Sequence, residues 1–210
     1  MKWYLIIIGV AIASISINIL PIYHSIFTAF RYAAFQVASI ITTTGFATAD
    51  YATWPMFSQI ILVILTFVGA CAGSTGGGIK ISRILILVKN AFAEIRRMVH
   101  PHSVVSIDFE NQHVQPQVVN NIHSYIVLYL MIFCCSLLVV SLQNIDFTSS
   151  FTAVATCLNN VGPGLGIVGP TGNFSSLSVA SKLVLCFDML AGRLEIFPII
   201  MLFSKSLWRK

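Results

Sequence analysis

Long apolar runs alternate with short ones along this chain, and the breaks between them fall at proline, threonine or glycine. Trp3 to Leu20 holds 18 residues without a charge. As a helix it is about 27 Å long, enough to cross a bilayer, and Pro21 is expected to close it. No small-x-small cleavage site leads from it into a hydrophilic domain, so it reads as a retained membrane helix. Ser25 to Ile41 is apolar but carries Arg31 and Gln36, and it runs into Thr42-Thr43-Thr44-Gly45-Phe46. Too short and polar for a span, it predicts a re-entrant helix that returns as irregular backbone. Such backbone survives at membrane depth only when buried in protein or lining a wet cavity. Trp54-Pro55 reads as an interfacial anchor and a helix start.

Phe57 to Ala70 is apolar for 14 residues, about 21 Å and short of the hydrocarbon core. Gly73-Ser74-Thr75-Gly76-Gly77-Gly78 interrupts it before a helix resumes over Ile79 to Phe92, which predicts a transmembrane helix broken inside the bilayer. Glu94 to Asn121 is polar and is expected to be a loop. Ile122 to Leu142 predicts a clean span. Phe147 to Leu158 predicts a second short helix, and Asn159 to Gly166 a second glycine turn. Leu177 to Phe203 predicts the last span, followed by a short basic tail from Ser204 to Lys210.

The pattern occurs twice: span, re-entrant helix, glycine turn, interrupted span. Placing Gly45 on Gly162 puts Phe30 on Phe147 and Val37-Ala38-Ser39 on Val154-Ala155-Thr156, and sets Gly192 against Thr75-Gly76. The expected fold is an all-α membrane protein of two tandem helix–re-entrant pore loop–helix repeats. The first occupies residues 1–93 and the second 122–210 with its basic tail, joined by a cytoplasmic loop over 94–121.

Composition supports a membrane setting. Of 210 residues, 57% are hydrophobic and 9% charged, against about a quarter charged in a soluble domain. Mean hydropathy is +0.87. The net charge of +5 is not a nucleic-acid footprint, because its placement is topological. Lys80, Arg83, Lys89, Arg96 and Arg97 precede or enter the middle loop, and Lys205, Arg209 and Lys210 form the tail. The stretches with the two glycine turns carry only Arg31 between Pro21 and Trp54, and no Lys or Arg between Gln143 and Ala180. The positive-inside rule puts both termini and the middle loop in the cytoplasm, so both turns enter from outside. Basic charge on the inner side suits anionic lipid.

Few side chains suggest other chemistry. Cys71, Cys134, Cys135, Cys157 and Cys186 lie in apolar segments without metal-ligand spacing and read as small buried hydrophobes. His100, His102 and His113 read as parts of a solvated loop, and His24 and His123 as interfacial. No Ser-His-Asp set or paired acid is present, so no enzyme is expected. Gly73 to Gly78 is not a phosphate loop, since Ile79 follows where Lys is required and no hydroxyl comes after Lys80. Arg193 lies in the last span, where an ionisable group is a functional candidate. It is expected to meet loop carbonyls around Gly73 to Gly78, or else to snorkel to the inner interface. Asp188 and Glu195 either face a cavity and concentrate cations or serve as ion-pair partners, and Lys182 is expected near the outer end.

Four motifs, in order, are Thr42-Thr43-Thr44-Gly45-Phe46, Ala72-Gly73-Ser74-Thr75-Gly76-Gly77-Gly78-Ile79-Lys80, Leu158-Asn159-Asn160-Val161-Gly162-Pro163-Gly164 and Gly192-Arg193-Leu194-Glu195-Ile196-Phe197-Pro198. Together they resemble the Trk/Ktr/HKT superfamily of potassium transporters, and their spacing fits the bacterial Trk-type membrane subunit. The resemblance implies half of a pseudo-fourfold, potassium-channel-like pore: the third and fourth of four repeats. It implies selectivity-filter carbonyls for K+ at Thr43, Thr44 and Gly45 and at Asn160, Val161 and Gly162, as in filters where backbone oxygens replace hydration water. It also implies an intramembrane gate at Gly73, Ser74, Thr75, Gly76, Gly77 and Gly78, with Arg193 as a pore charge beside it. No cofactor is implied, K+ being the transported ion. The implied partners are a cytosolic nucleotide-binding regulatory subunit and either further copies of the chain or an N-terminal half to complete the ring. The implied location is the bacterial inner, cytoplasmic membrane. A half-length product, a fragment, and a unit completed by another chain all remain open readings of the length.

Overall fold

The computed structural model describes residues 2–71, 73–74, 76–100, 108–109, 112–194 and 198. Seven helices carry the fold among them: α1 Lys2–Tyr23, α2 Ile26–Ile41, α3 Met56–Val68, α4 Ile81–Val99, α5 Pro116–Ser141, α6 Phe147–Leu158 and α7 Val179–Arg193. α1 and α5 are the two long enough and apolar enough to cross a membrane. α2 and α6 are the short helices that end in the glycine turns. Described parts of the α4–α5 connection form a two-residue antiparallel ladder, Asp108–Phe109 against Gln112–His113.

Local chemistry sets most boundaries. α6 starts at Asp146, whose Oδ2 accepts the Ser149 amide at 2.9 Å, and α7 starts at Ser178, whose Oγ accepts from the Ser181 amide. Both are N-caps that satisfy an orphan donor. Pro55 stands at the N-cap of α3, and Gly69, with φ 66°, terminates that helix.

The helices extend further than the polar pattern suggests. Pro21 lies inside α1, which continues to Tyr23. Only Ile22 and Tyr23 follow it in the helix, and its cost is the amide bond that it cannot make to Ile17 and its ring against that carbonyl. α4 runs to Val99 and α5 begins at Pro116, so helix occupies both ends of the stretch expected to be loop. Toward the α4–α5 connection, Ile86 and Ala93 of α4 pack on Val119 and Ile122 of α5, which explains the extension. The span break is also wider than the six glycine-rich residues, since regular helix stops at Val68 and resumes at Ile81. The last span is helical to Arg193 and bends at Leu194. Glu195 and the basic tail from Ser204 lie outside the described residues.

Each repeat has its own core. The first gathers Ile15 and Ile19 of α1, Val37 and Ile41 of α2, and Leu62 and Leu65 of α3, with Ile81. The second gathers Tyr129 and Phe133 of α5, Val154 and Leu158 of α6, and Leu185 and Ala191 of α7. Val161 and Leu165, from the second repeat's turn, are buried in the first core. Phe67 of α3 reaches the other way, its ring 5.7 Å from Phe133 and 6.0 Å from Phe151. These exchanges join the repeats.

Trp54 is not an interfacial anchor. It is 2% exposed, its indole Nε1 donates to the Tyr23 hydroxyl at 3.1 Å, and its ring meets Tyr51 edge-on. It ties the loop after the first turn to the end of α1. The cysteines also divide: all five are free and Cys157 is buried, but Cys134, Cys135 and Cys186 are exposed on α5 and α7. Helices presented to lipid have no need to bury small apolar side chains.

The Asp146 cap gives a pH-dependent expectation. The Ser149 amide holds the exposed Asp146 carboxyl below the usual carboxylate range. A depressed folded value stabilises the fold above the unfolded carboxylate pKa of about 3.9, and that contribution disappears as pH falls through the folded value. Asp146→Ala should therefore cost about 0.5–1 kcal/mol at neutral pH, the low end for a cap because the group is solvated. Thermal unfolding in detergent should show this difference at pH 7 and its shrinkage toward pH 3. A constant difference would show that the charged cap contributes nothing.

Candidate functional site

The two turns after α2 and α6 have the same backbone, residue for residue. Thr42 and Asn159 cap the helices at φ −85°, ψ 0° and φ −92°, ψ 2°. Their amides bond to Ala38 O and Ala155 O, each at 3.1 Å, and the Thr44 and Val161 amides reach back to Ser39 O and Thr156 O at 2.8 and 2.9 Å. Next come left-handed residues at alternate positions, Thr43 at φ 56° and Gly45 at 80°, then Asn160 at 55° and Gly162 at 110°. Sequence reasoning assigned this role to the glycines alone.

The conformation is costly at Thr43. A β-branched residue at positive φ is a genuine outlier, held by its surroundings at about 1–3 kcal/mol. Alternating left- and right-handed residues turn successive carbonyls toward one side, whereas an ordinary strand alternates them. A row of neutral oxygens facing one way suits a dehydrated monovalent cation.

The strands adjoin. A methyl on Gly45 would overlap the Val161 carbonyl oxygen and approach Pro163 Cδ at 3.2 Å. The Tyr51 hydroxyl donates to Pro163 O at 3.2 Å, linking the first repeat's loop to the second turn. Burial of the phenol raises the Tyr51 pKa further above its ordinary value, so it remains a donor.

The break between α3 and α4 lies against both turns. It closes on itself, with the Ile79 amide on Phe67 O at 3.1 Å and the Ile81 amide on Ala70 O at 3.3 Å. Gly76 faces Thr43, since a Cβ there would stand 3.1 Å from Thr43 Oγ1, and Gly77 is pressed on the Asn159 carbonyl. Of the six residues expected as a gate, Gly73, Ser74, Gly76, Gly77 and Gly78 are described, and Thr75 lies outside the described residues. Gly192 of α7 is pressed against the Leu158 carbonyl, so the second repeat's helix continues where the first repeat's is broken.

A cavity of about 180 Å³ adjoins the loop, lined by Ser74, Gly76, Gly78, Lys80, Arg83, Tyr125, Gly192 and Arg193. Arg193 and the glycine loop thus share one wall. Sequence reasoning placed Lys80 and Arg83 on the inner side but not in this lining. The Arg83 guanidinium lies 4.1 Å from the centre of the Tyr125 ring, a cation–π distance. Asp188 does not line the cavity. It is fully buried and accepts the Ser136 hydroxyl at 2.7 Å. Lys182 donates to Ser175 O at 2.8 Å, at the α7 N-terminus. His113 faces Asp108 at 3.3 Å, and His102 lies outside the described residues. Also missed was Tyr129, which bonds Asn159 at 2.9 Å; a tyrosine within an apolar run gave the one available signal.

Two repeats of span, short helix and irregular backbone strand, set against a broken span, have the architecture of pore-loop membrane proteins. The TrkH family of cation transport proteins matches residues 6–210, and this chain belongs to that family. It is 41% identical over 189 residues to the Trk system potassium uptake protein TrkH of Salmonella typhimurium, covering 90% of this chain and 39% of that protein. It is 38% identical over 180 residues to the potassium uptake protein TrkG of Escherichia coli, covering 86% of this chain and 37% of that one. The crystal structure of the potassium transporter TrkH from Vibrio parahaemolyticus superposes with a TM-score of 0.89 at 38% identity, over 99% of this chain and 44% of that one. The chain therefore spans about two-fifths of its curated relatives.

The strand contact predicts an order of severity. Gly162→Ala places a methyl in open space and should cost only the strain of positive φ, about 1–3 kcal/mol. Gly45→Ala adds the overlap with Val161 O and should cost more. Equal losses in detergent unfolding would show that the strands do not depend on each other.

Proposed function

We propose that this chain supplies two of the four repeats of a potassium-conducting pore in the bacterial cytoplasmic membrane, with both termini cytoplasmic. The observation that carries the reading is the shared backbone of residues 42–45 and 159–162, with left-handed residues at the same two places in each turn. On this reading K+ is held by the carbonyls of Thr43, Thr44 and Gly45 and of Asn160, Val161 and Gly162. The names of the relatives, potassium uptake proteins, support K+ as the cargo.

The loop at Gly73 to Gly78 acts as the gate. Its small residues change backbone path without repacking bulk, and its closeness to Thr43 and Asn159 supports a position at the inner end of both strands. Arg193 shares the adjoining cavity and opposes cation passage while the loop is closed. The open ring is completed by further copies or by an N-terminal half. Lipid covers the apolar outer faces, where Leu5, Val10 and Ile17 of α1 and Leu130 and Leu138 of α5 are exposed. A cytosolic nucleotide-binding subunit docks on the inner side.

The fraction of the relatives spanned favours a second reading, a fragment that does not conduct unless joined. Expression in cells lacking potassium uptake separates the two: rescue by the chain alone supports closure by copies, and rescue only with a co-expressed N-terminal half supports joining. Rescue by neither overturns the pore reading. In whichever arrangement conducts, Arg193→Ala should raise resting K+ flux by about tenfold or more, the factor for removing about 1.4 kcal/mol of barrier. Unchanged flux and selectivity would remove the gate role from Arg193.

A further inference from the structure

The second carbonyl strand is tied by side chains to spans on both sides, whereas among the described residues the side-chain bonds of residues 42–45 stay within that strand and its own helix. Asn159 is fully buried at the end of α6. Its Nδ2 donates to Ala155 O at 2.7 Å, and its Oδ1 accepts from the Tyr129 hydroxyl of α5 at 2.9 Å. The next residue, Asn160, donates Nδ2 to the Met189 carbonyl of α7 at 3.1 Å. At the matched place in the first repeat, Thr42 also bonds back to its own helix, at 2.6 Å to Ala38 O. Its other bond is to Thr44 at 2.8 Å, between two exposed residues. Two further side chains of α2 brace the start of that loop, Ser39 Oγ to Phe46 O at 2.6 Å and Gln36 Nε2 to Ala49 O at 3.2 Å, while Trp54 and Gln59 tie its far end to α1 and α3.

The Tyr129 hydroxyl is an unusual strut. Its side chain is 2% exposed, stacked beside Tyr125 in the second core. No bulk water is there to replace it, so removing its O–H would leave a buried acceptor on Asn159 short of its donor. The Asn159 carbonyl is also the surface against which Gly77 closes. One side chain thereby fixes the start of a carbonyl strand and the seat of the loop beneath it.

We propose that Tyr129 is a positioning residue for ion discrimination: through Asn159 its hydroxyl sets the spacing of the carbonyl strand Asn160–Gly162 and its seating on Gly77. A backbone filter distinguishes cations through the spacing and field of its carbonyls, so a strand braced from α5 and α7 holds that spacing more firmly than one braced by its own helix. The proposal rests on the pore reading above. The second strand is the stiff one of the pair, and its stiffness is supplied from outside the filter sequence.

Tyr129→Phe keeps the ring and deletes the hydroxyl. Amide hydrogen exchange of the full chain in detergent should become about tenfold faster across 158–162, the factor for about one lost buried hydrogen bond, with 41–45 unchanged. In the conducting arrangement found by the uptake assay, the K+ over Na+ uptake ratio should fall by about tenfold at equal protein level. Asn160→Ala, which cuts the bond to Met189 instead, should move the ratio in the same direction. Unchanged exchange, or faster exchange with an unchanged ion ratio, overturns the positioning role. A wild-type chain that carries no cation in any arrangement overturns the pore reading and the discrimination role with it. The exchange result then reports Tyr129 as a structural anchor alone.

Discussion

An amide or carbonyl that leaves a helix inside hydrocarbon has no water to turn to, and the described backbone of the two turns and the broken span is arranged around that constraint. The two turns solve it identically, with the amides of Thr44 and Val161 folded back onto Ser39 and Thr156 of the preceding helix. The broken span solves it by closing on itself, Ile79 on Phe67 and Ile81 on Ala70. What remains unspent is carbonyl oxygen, and that remainder is what a cation pore requires. The short helices, the glycines and the seam between repeats all serve to keep this backbone enclosed.

Much of this architecture could be read from residue order alone. The second short helix lies over Phe147 to Leu158 as expected, because a hydrophilic cap and a glycine turn bound an apolar run with nothing ambiguous between them. The Gly45–Gly162 alignment holds down to single hydrogen bonds. Where the pattern misled, tertiary contact was responsible. Trp54 beside a proline looks like an interfacial residue, yet the Tyr23 hydroxyl and the Tyr51 ring give it a buried site. Polar Glu94 to Val99 looks like a loop, yet the N-terminal part of α5 gives this end of α4 a helix to pack on. Thr43 could not have been foreseen at positive φ, since no local preference of threonine points there.

The candidate residues stood out in the sequence, and their spatial relations did not. Gly73 to Gly78 and Arg193 were visible as anomalies in apolar spans, but that Ser74, Gly76, Gly78 and Arg193 share a cavity wall with Lys80 and Arg83 depends on how the broken span folds back. Asp188 could be read as a cavity acid or as an ion-pair partner, and its burial against Ser136 keeps it out of the cavity lining. Charge in a span signals that something is there; only packing tells which side of the wall it occupies.

The burial of Val161 in the core of the first repeat has a consequence for how such units join. Its counterpart, Thr44, is exposed, so the contact between repeats is head-to-tail, with two unlike faces, and not a two-fold handshake. Interfaces of that kind have a rotational sense. A neighbour can be added in one direction of travel around the axis, and the series stops only when its last face meets its first. The number of repeats, not the length of any one polypeptide, then decides whether the circle is shut.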